Sequence, residues 1–224
     1  MKVTEIVRVA YSIPPLLKEV RASDGLASPA QLVQIAMGSR AIRPMQIASE
    51  FVELVTLVKG LECRNMLEIG TYRGGTLFAF AQACVENANI LSIDYCETLR
   101  GRIYQVAQGP LLRKIVRGGQ RLTLFREDSH KPEALQKVLR VLGGQKLDFL
   151  FIDADHSYAG VKEDFAMYSR LVRSGGIVAF HDIAPSPLAK EVDIFWNEIK
   201  CAHQHHEFIH EVGERAMGIG AIFM

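Results

Sequence analysis

The spacing of hydrophobic positions along the chain changes near Lys59. Before that point, residues 31–37 and 45–58 carry apolar side chains at intervals of three and four, which predicts helices. Ser28 followed by Pro29 fits a helix N-cap and a first-turn proline. Residues 1–60 are therefore predicted to form a helical N-terminal cap.

After residue 60, short apolar runs each end in a small or acidic residue and are followed by stretches of helical spacing. These runs are MLEIG, ILSID, LTLFRED, DFLFIDAD and GIVAFHD. This alternation is typical of βαβ units in a parallel sheet. The last segment, residues 207–224, has two β-rich runs joined through Gly213 to Gly218, which predicts an antiparallel hairpin at the sheet edge. Residues 61–224 are thus predicted to form a doubly wound, Rossmann-like α/β fold with seven strands, mostly parallel.

In open α/β sheets, ligands bind beyond the carboxyl ends of the strands. The first strand runs into a glycine-rich turn, EIGTYRGGT, which contains Gly70, Gly74 and Gly75. Glycines let the backbone approach a ligand closely, and the following helix N-terminus presents free N–H groups. Such a turn is also compatible with a purely structural role. Asp94 ends the next strand, where a carboxylate can accept both ribose hydroxyls. Together these features predict an adenosine ligand.

The glycine spacing separates two classes of adenosine ligand. Gly70, Gly74 and Gly75 are followed by Thr76, which departs from the G-x-G-x-x-G pattern of dinucleotide sites. The acidic Glu68 also suits a ligand with a cationic ammonium group better than a pyrophosphate. An NAD(P)-dependent oxidoreductase, whose Y-x-x-x-K pattern appears from Tyr158 to Lys162, is the less favoured alternative.

A second group of polar residues follows two later strands. It comprises Asp153, Asp155 and His156, and then His181 and Asp182. Paired carboxylates at neighbouring strand ends suit a hard divalent cation. Histidine is a poor magnesium ligand, so the site favours manganese or iron if His181 binds the metal; alternatively His181 is a base. A structural alternative is that Asp155 caps the next helix and His181 bonds a backbone carbonyl.

The order of these motifs resembles a known family. MLEIGTYRGGTLFAFA, ILSIDY, EDS, FLFIDADHSYAGVKEDF and GGIVAFHDI, which lie within residues 61–224, look like the class I S-adenosylmethionine-dependent methyltransferases. The longer motif IDADHSY…FHD is similar to the branch with small-molecule sugar and macrolide O-methyltransferases and cephalosporin hydroxylase-like proteins. It is more distantly similar to the catechol-type O-methyltransferases.

This resemblance implies a methyltransferase with S-adenosylmethionine as its cofactor. The turn after the first strand would hold the methionine end, Asp94 the ribose, and Asp128 with Ser129 the adenine; Ser129 is alternatively a helix N-cap. The implied cofactor-binding residues are Glu68, Gly70, Thr71, Tyr72, Gly74, Gly75, Asp94, Asp128, Ser129 and Asp153.

The resemblance also implies a Mg²⁺ or Mn²⁺ site at Asp153 and Asp182, with His181 where that branch often has an acid. Asp155 takes the position of the general base, and His181 is the alternative base. Residues 42–50 of the cap would close over the cofactor and help to choose the acceptor. The predicted reaction is O-methylation of a small hydroxylated molecule; a protein that binds the cofactor without catalysis is the remaining alternative.

The amino-acid composition restricts the classes of partner that the protein is expected to bind. The 224 residues carry a formal charge of +1, which gives no global attraction to nucleic acid or an anionic membrane. No uninterrupted apolar run approaches the length of a membrane span. The four cysteines are scattered without a C-x-x-C pair, which is typical of reduced thiols in a cytoplasmic protein. We expect a cytoplasmic protein whose partner is a small-molecule methyl acceptor, and a homodimer stays open.

Overall fold

The computed structural model of the protein describes residues 3–23, 25–186 and 190–224. The α-helices within these ranges are α1 (Val3–Ser23), α2 (Pro29–Gly38), α3 (Ala48–Gly60), α4 (Gly75–Ala83), α5 (Leu99–Ile115), α6 (Pro132–Leu142), α7 (Tyr158–Tyr168) and α8 (Val192–Ile199). The strands are β1 (Asn65–Ile69), β2 (Asn89–Ile93), β3 (Arg121–Phe125), β4 (Leu147–Ile152), β5 (Val172–His181), β6 (Gln204–Phe208) and β7 (Ile219–Phe223).

The strands form one seven-stranded sheet in the order β3-β2-β1-β4-β5-β7-β6. β1 to β5 are parallel, whereas β7 pairs antiparallel with both β5 and β6. The predicted α/β fold with a C-terminal antiparallel hairpin is confirmed. The strand order reverses between β1 and β4, so a crevice is expected beyond the carboxyl ends of those two strands.

The N-terminal helices share a core with one face of the sheet. Apolar residues of α2 and α3 lie in the same buried cluster as α4 and alternate positions of the strands. The predicted N-cap is confirmed, because Ser28 and Gln31 form a reciprocal capping box at the start of α2. α3 begins at Ala48, three residues after the predicted start at Met45. The boundary near residue 60 stays a prediction, because a shared core does not decide it.

The C-terminal hairpin differs in detail from its prediction. β6 begins at Gln204, ahead of the predicted run, and its first four residues are exposed at the sheet edge. β7 lies between β5 and β6 and is almost wholly buried. The connection between β6 and β7, residues 209–218, is longer than a tight hairpin turn and is hydrogen-bonded to Glu50 of α3 at His210 and Gly218. No helix in the described ranges combines the length and the apolar composition needed to cross a bilayer.

Phe80 lies at the centre of the core beneath the cap. Its ring centroid is 5.5 Å from that of Phe51 on α3, 4.9 Å from Phe149 and 5.1 Å from Phe151 on β4, all in edge-to-face geometry. This geometry adds about 0.5–1.5 kcal/mol per aromatic pair to the burial of apolar area. Phe80 therefore joins the cap to the sheet.

We expect Phe80→Ala to lower the free energy of unfolding by about 3–5 kcal/mol, because it leaves a cavity in a fully buried site. Urea denaturation followed by circular dichroism measures the change. Val106→Ala on α5, where the valine is 73% exposed, is the control and should change the free energy by less than about 0.5 kcal/mol. Equal effects of the two substitutions would contradict this account of the core.

Candidate active site

A cavity of about 820 Å³ opens at the carboxyl ends of the parallel strands. It brings together the residues that the sequence predicts for the cofactor, the metal and the base, with the exception of Glu68. The predicted residues that line it are Gly70, Thr71, Tyr72, Gly74, Gly75, Asp94, Asp128, Ser129, Asp153, Asp155, His181 and Asp182. The strand ends of β1, β2, β3, β4 and β5 each contribute to this wall.

The glycine-rich turn after β1 is shaped by its neighbours as well as by its own backbone. A Cβ on Gly70 would lie 2.0 Å from the carbonyl oxygen of Asp153, so a side chain there would separate β1 from the end of β4. Gly70 and Gly74 have positive φ angles, as does Tyr72 with 47°. Gly74 is the N-cap of α4, whose first N–H groups therefore begin beside the cavity. The close approach shown at Gly70 is therefore to the protein's own backbone, and contact between the turn and a ligand stays a prediction.

Glu68 lies fully buried below this turn. Neither of its carboxylate oxygens has a hydrogen-bond partner of ordinary geometry among the described residues. Burial raises the pKa of Glu68 well above its usual value, and the Thr76 hydroxyl offsets this only in part. The contact predicted between Glu68 and the methionine end of the cofactor stays a prediction.

Asp94 lies at the end of β2, as predicted, with its carboxylate oriented by two residues that the sequence did not indicate. Gln105 of α5 donates from Nε2 to Asp94 Oδ2 at 2.7 Å, and Arg126 Nη1 is 3.6 Å from the same oxygen. Burial raises the pKa of Asp94, and these two partners partly counter that effect. The side chain is held in one orientation toward the cavity.

Asp128 and Ser129 follow β3, but Ser129 is not the helix N-cap of the structural alternative. Lys131 occupies that position and makes no side-chain capping bond. Asp128 instead closes a local turn by accepting the His130 backbone N–H at 3.0 Å. The Ser129 carbonyl accepts the Tyr168 hydroxyl at 2.7 Å, which fastens this loop to α7.

His130, which the sequence analysis did not single out, also lines this part of the cavity. Its Nε2 lies 3.4 Å from Oδ1 of Asp164, a fully buried carboxylate on α7. The nearby Asp164 carboxylate raises the pKa of His130 to about 9, and the same ring nitrogen lies 3.2 Å from the Gly160 carbonyl oxygen. The imidazolium therefore compensates a buried negative charge and ties the loop of Asp128 to α7.

The carboxylates predicted to bind a metal converge at the ends of β4 and β5. His181 Nδ1 is 3.3 Å from Asp153 Oδ1 and 3.4 Å from Asp182 Oδ2. One potential ligand atom from each of these three residues lies within 4.8 Å of the other two. His181 faces carboxylates here, so the alternative in which it bonds a backbone carbonyl is wrong. Although burial opposes the charged ring, these carboxylates raise the pKa of His181 to about 10.

His156 is a fourth member of this cluster that the sequence placed beside the site without a ligand role. Its Nδ1 lies 2.8 Å from Asp182 Oδ2, and its Nε2 lies 3.7 Å from Asp153 Oδ1. The hydrogen bond to Asp182 raises the pKa of His156. Although burial acts in the other direction, His156 and His181 together lower the pKa of Asp182 to about 2. Asp182 itself has φ of 63°, an uncommon value for a residue with a side chain.

Asp155 points away from this cluster and toward the start of α7. Its Oδ1 accepts the Ser157 backbone N–H at 2.9 Å, while Ser157 is the N-cap proper and accepts from Gly160. The alternative in which Asp155 caps the next helix is therefore right in part: Asp155 bonds the backbone at the start of α7, but Ser157 is the N-cap. Although partial burial opposes it, the hydrogen bonds from Ser157 lower the pKa of Asp155, so the carboxylate is ionised at neutral pH. It remains exposed on the wall of the cavity.

The cap reaches the site through residues 44–46, which line the cavity opposite the strand ends. Gln46 donates from Nε2 to Asp153 Oδ2 at 2.9 Å, and its own amide oxygen has no partner among the described residues. Pro44 packs on Gly75, where a Cβ would approach its ring to 2.6 Å. The apolar spacing of residues 45–58 gave no signal for this contact, because Gln46 lies before the helix begins.

The Y-x-x-x-K pattern lies outside the cavity. Lys162 donates to the Tyr158 hydroxyl at 2.7 Å, and both side chains pair with Glu198 of α8 on the surface. The polar groups of Tyr158 and Lys162 thus have hydrogen-bond partners outside the cavity. The pattern therefore gives no support to the oxidoreductase alternative.

The fold and the site define a doubly wound α/β protein with an acidic centre beside its glycine-rich turn. A sequence profile described as "Methyltransferase domain" matches residues 67–183, slightly more than half of the chain. The chain belongs to this methyltransferase family. The matched range begins in β1 and ends directly after Asp182, so it contains the cofactor turn and the carboxylate cluster.

Individual relatives agree with this assignment. A caffeoyl-CoA O-methyltransferase from Medicago sativa is 28% identical over 158 residues, which cover 65% of this chain and 59% of the relative. Tapetum-specific methyltransferase 1 of Arabidopsis thaliana is 31% identical over 136 residues, covering 58% and 52%. The chain thus spans between half and three fifths of the length of these curated relatives.

Solved structures share the fold at low sequence identity. The O-methyltransferase TomG from Streptomyces achromogenes, in complex with SAM, is 18% identical with a TM-score of 0.57, over 88% of this chain and 90% of TomG. The O-methyltransferase from Bacillus cereus, in complex with SAH, is 17% identical with a TM-score of 0.55 and the same coverage. At these identities the likeness establishes the architecture.

The His130–Asp164 pair predicts a pH dependence of stability. A histidine whose folded pKa lies above its unfolded value stabilises the protein fully below about pH 6.5 and loses that contribution as the pH rises through about 9. Asp164→Asn should therefore lower the melting temperature at pH 6 far more than at pH 9.5. Each kcal/mol corresponds to about 2–4 °C in a chain of this size.

Glu163→Gln is the matched comparison on the same helix: Glu163 also raises the pKa of His130, but it is exposed and solvent screens its charge. Its melting temperature should differ from that of the wild type far less than that of Asp164→Asn does at pH 6. A constant difference between Asp164→Asn and the wild type across this range would show that the ion pair does not titrate as described.

Proposed function

We propose that this chain transfers a methyl group from S-adenosylmethionine to a hydroxyl of a small molecule, with a divalent cation assisting. The observation that carries the proposal is the meeting of the glycine-rich turn, Asp94 and the carboxylate cluster in one cavity. Relatives named as O-methyltransferases, and related folds solved with SAM or SAH, support it.

The residues around the turn fit the parts of that cofactor. Asp94, oriented by Gln105, offers a carboxylate to a pair of ribose hydroxyls. The first N–H groups of α4 suit the carboxylate of the methionine end. Glu68 is a buried carboxylate without a hydrogen-bond partner, and a nearby ammonium would stabilise its charged form. The cofactor supplies a methyl group on a positively charged sulfur.

The carboxylate cluster fits a divalent cation. Asp153 and Asp182 bring two negative charges close together, and His181 and His156 are the positive groups that balance them. A bound Mg²⁺ or Mn²⁺ would lower the pKa of an acceptor hydroxyl beside it. To coordinate the cation, His181 would have to lose its proton, and its nitrogen would then favour Mn²⁺ over Mg²⁺ as the occupant. Gln46 would hold the second oxygen of Asp153 and leave Oδ1 to the cluster.

The chain's own part in the reaction is alignment and proton removal. The cavity walls would hold the acceptor hydroxyl beside the bound cofactor, which would supply the methyl group for displacement of its sulfur by the acceptor oxygen. Asp155 is ionised and accessible, so it is the residue we assign to accept the hydroxyl proton. His181 is less suited to that role, because its ring already holds a proton between two carboxylates.

The acceptor would lie between the cap and the connection after β6. Met45 and Met217 line this side of the cavity, which gives it an adaptable apolar surface next to the charged centre. That combination suits an aromatic or otherwise apolar body that carries a hydroxyl. Relatives named as caffeoyl-CoA O-methyltransferases make caffeoyl-CoA the first acceptor to test.

Location and assembly remain proposals. A cytoplasmic location agrees with the free cysteines, of which Cys63 and Cys84 are buried. A small-molecule acceptor, and no nucleic acid or membrane partner, agrees with the small net charge. A homodimer would be tested by light scattering.

Thermal shift with S-adenosylhomocysteine, and separately with NADH, tests the cofactor class. S-adenosylhomocysteine should raise the melting temperature by mass action, and NADH should not. Asp94→Asn should weaken binding of S-adenosylhomocysteine by roughly 1–3 kcal/mol in isothermal titration, through weaker hydrogen bonds to the ribose. Glu97→Gln is the control, because Glu97 also lines the cavity and this variant keeps the carboxylate of Asp94. Stabilisation by NADH alone would replace the proposed function with the oxidoreductase alternative.

Substitutions at Asp153 and Asp155 distinguish metal binding from removal of the acceptor's proton. Asp153→Asn should abolish Mn²⁺ binding in isothermal titration and stop turnover of caffeoyl-CoA. Asp155→Asn should bind Mn²⁺ and S-adenosylhomocysteine as the wild type does, yet lower kcat by roughly 10²–10⁴. Normal turnover by Asp155→Asn across the pH range would remove the protein base from the mechanism.

A further inference from the structure

Glu50 of α3 is a fully buried carboxylate that the candidate site does not use. Its Oε1 accepts the His210 backbone N–H at 2.8 Å, and its Oε2 accepts the Gly218 backbone N–H at 3.1 Å. Both oxygens act as acceptors, which is the arrangement of an ionised carboxylate. An ionised group in the interior is costly unless its partners are held in place.

The two N–H groups belong to opposite ends of residues 209–218, the connection between β6 and β7. We name this connection the strap. Its far end is bonded in turn to the segment that follows β5: Ile183 N–H donates to the Gly218 carbonyl at 3.3 Å, and Ala184 N–H to the Met217 carbonyl at 2.8 Å. The strap is therefore bonded on both sides near Gly218: the Gly218 N–H group donates to Glu50, and the carbonyl groups of Met217 and Gly218 accept from residues 183–184.

The fit at this junction leaves little space for movement. Gly218 has φ of 74°, and a Cβ there would lie 3.1 Å from Ala184 Cβ. Directly before Ile183 stands Asp182, whose own φ of 63° is held in an uncommon region of backbone conformation. Such a conformation is unfavourable for a residue with a side chain and persists only where the surroundings fix it. The strap is the part of these surroundings that packs against residues 183–184.

The strap also reaches the cavity directly. Met217, next to Gly218, is one of the residues that line the cavity. Glu50 itself does not line the cavity, so its influence on a ligand would pass through the strap.

We propose that Glu50 is a positioning residue of the acceptor side of the site: by fixing the strap, it fixes the backbone after Asp182 and the Met217 wall of the cavity. This inference rests on the proposed function, because one of its tests measures kcat and KM of the methyl transfer. It assigns Glu50 no contact with the substrate or the metal. The turn and Asp94 on the cofactor side do not depend on the strap.

Glu50→Gln tests the proposal, because the amide keeps the shape and turns one acceptor into a donor that faces an N–H group. Glu53→Gln is the matched control: Glu53 lies almost one helical turn later, is half exposed, and contacts the same strap through the His210 ring at 3.1 Å. Both variants are compared with the wild type below their melting temperatures. Four quantities are measured: hydrogen exchange of residues 181–184 and 209–218, Mn²⁺ affinity, S-adenosylhomocysteine affinity, and kcat and KM for caffeoyl-CoA.

For Glu50→Gln we expect faster exchange in both segments, weaker Mn²⁺ binding and a kcat/KM lowered by roughly 10²-fold, since small misplacement of a reacting group costs about that much. The affinity for S-adenosylhomocysteine should stay within about twofold, because a twofold change corresponds to only about 0.4 kcal/mol. Glu53→Gln should match the wild type in all four quantities. Gly218→Ala, which disturbs the same junction from the strap side without changing a charge, should reproduce the pattern of Glu50→Gln.

A merely structural role would give a different result. If Glu50→Gln lowers the melting temperature yet leaves exchange at 181–184, Mn²⁺ affinity and kcat/KM unchanged, the inference is overturned. An equal loss of S-adenosylhomocysteine affinity would also overturn it, because the effect would then not be confined to the acceptor side. If the wild type binds no S-adenosylhomocysteine and methylates nothing, the proposed function fails, and hydrogen exchange at 181–184 still decides whether Glu50 holds that segment.

Discussion

The site depends on holding Asp153 and Asp182 close together at the ends of adjacent strands. Both carboxylates lie within 3.4 Å of the same histidine nitrogen and have oxygens within 4.8 Å of each other, with Asp182 buried and Asp153 partly buried. Like charges repel strongly at this distance when the effective dielectric constant is low, so the pair requires positive partners. His181 and His156 provide them, and the same electrostatic demand is what makes the cluster suitable for a divalent cation.

The order of strands in the parallel sheet brings these two carboxylates together. β4 and β5 are neighbours, so the residues that follow them emerge at the same edge. Gly70 allows β1 to approach Asp153, which brings the cofactor turn against the acidic centre. On the other side, α3 contributes Glu50 to the strap and the preceding segment contributes Gln46 to Asp153. The cap is therefore part of the site as well as part of the core.

Two buried acidic residues differ in how their charge is accommodated. Asp164 lies beside a histidine whose pKa it raises, so its stabilisation changes with pH. Glu50 is met by two backbone N–H groups, while burial raises the pKa of its carboxyl group. The first contact fastens the loop of Asp128 to α7, and the second fastens the strap to α3.

The sequence by itself determined the sheet, its strand ends and the residues that stand there, because short apolar runs and the turns after them are local features of the chain. It indicated Asp94, Asp153 and Asp182 from position alone. It indicated residues 42–50 as a segment near the site, but not the contacts that Gln46 and Glu50 make there, nor those of Gln105 and His130; the partners of these four residues lie between 11 and 168 residues away. Whether His181 faces a backbone carbonyl or two carboxylates, and whether Asp155 points to a helix or to the cluster, was decided only by the tertiary structure. The physical reason is that the state of a charged group depends on which charges and dipoles surround it in space, and local spacing does not carry that information.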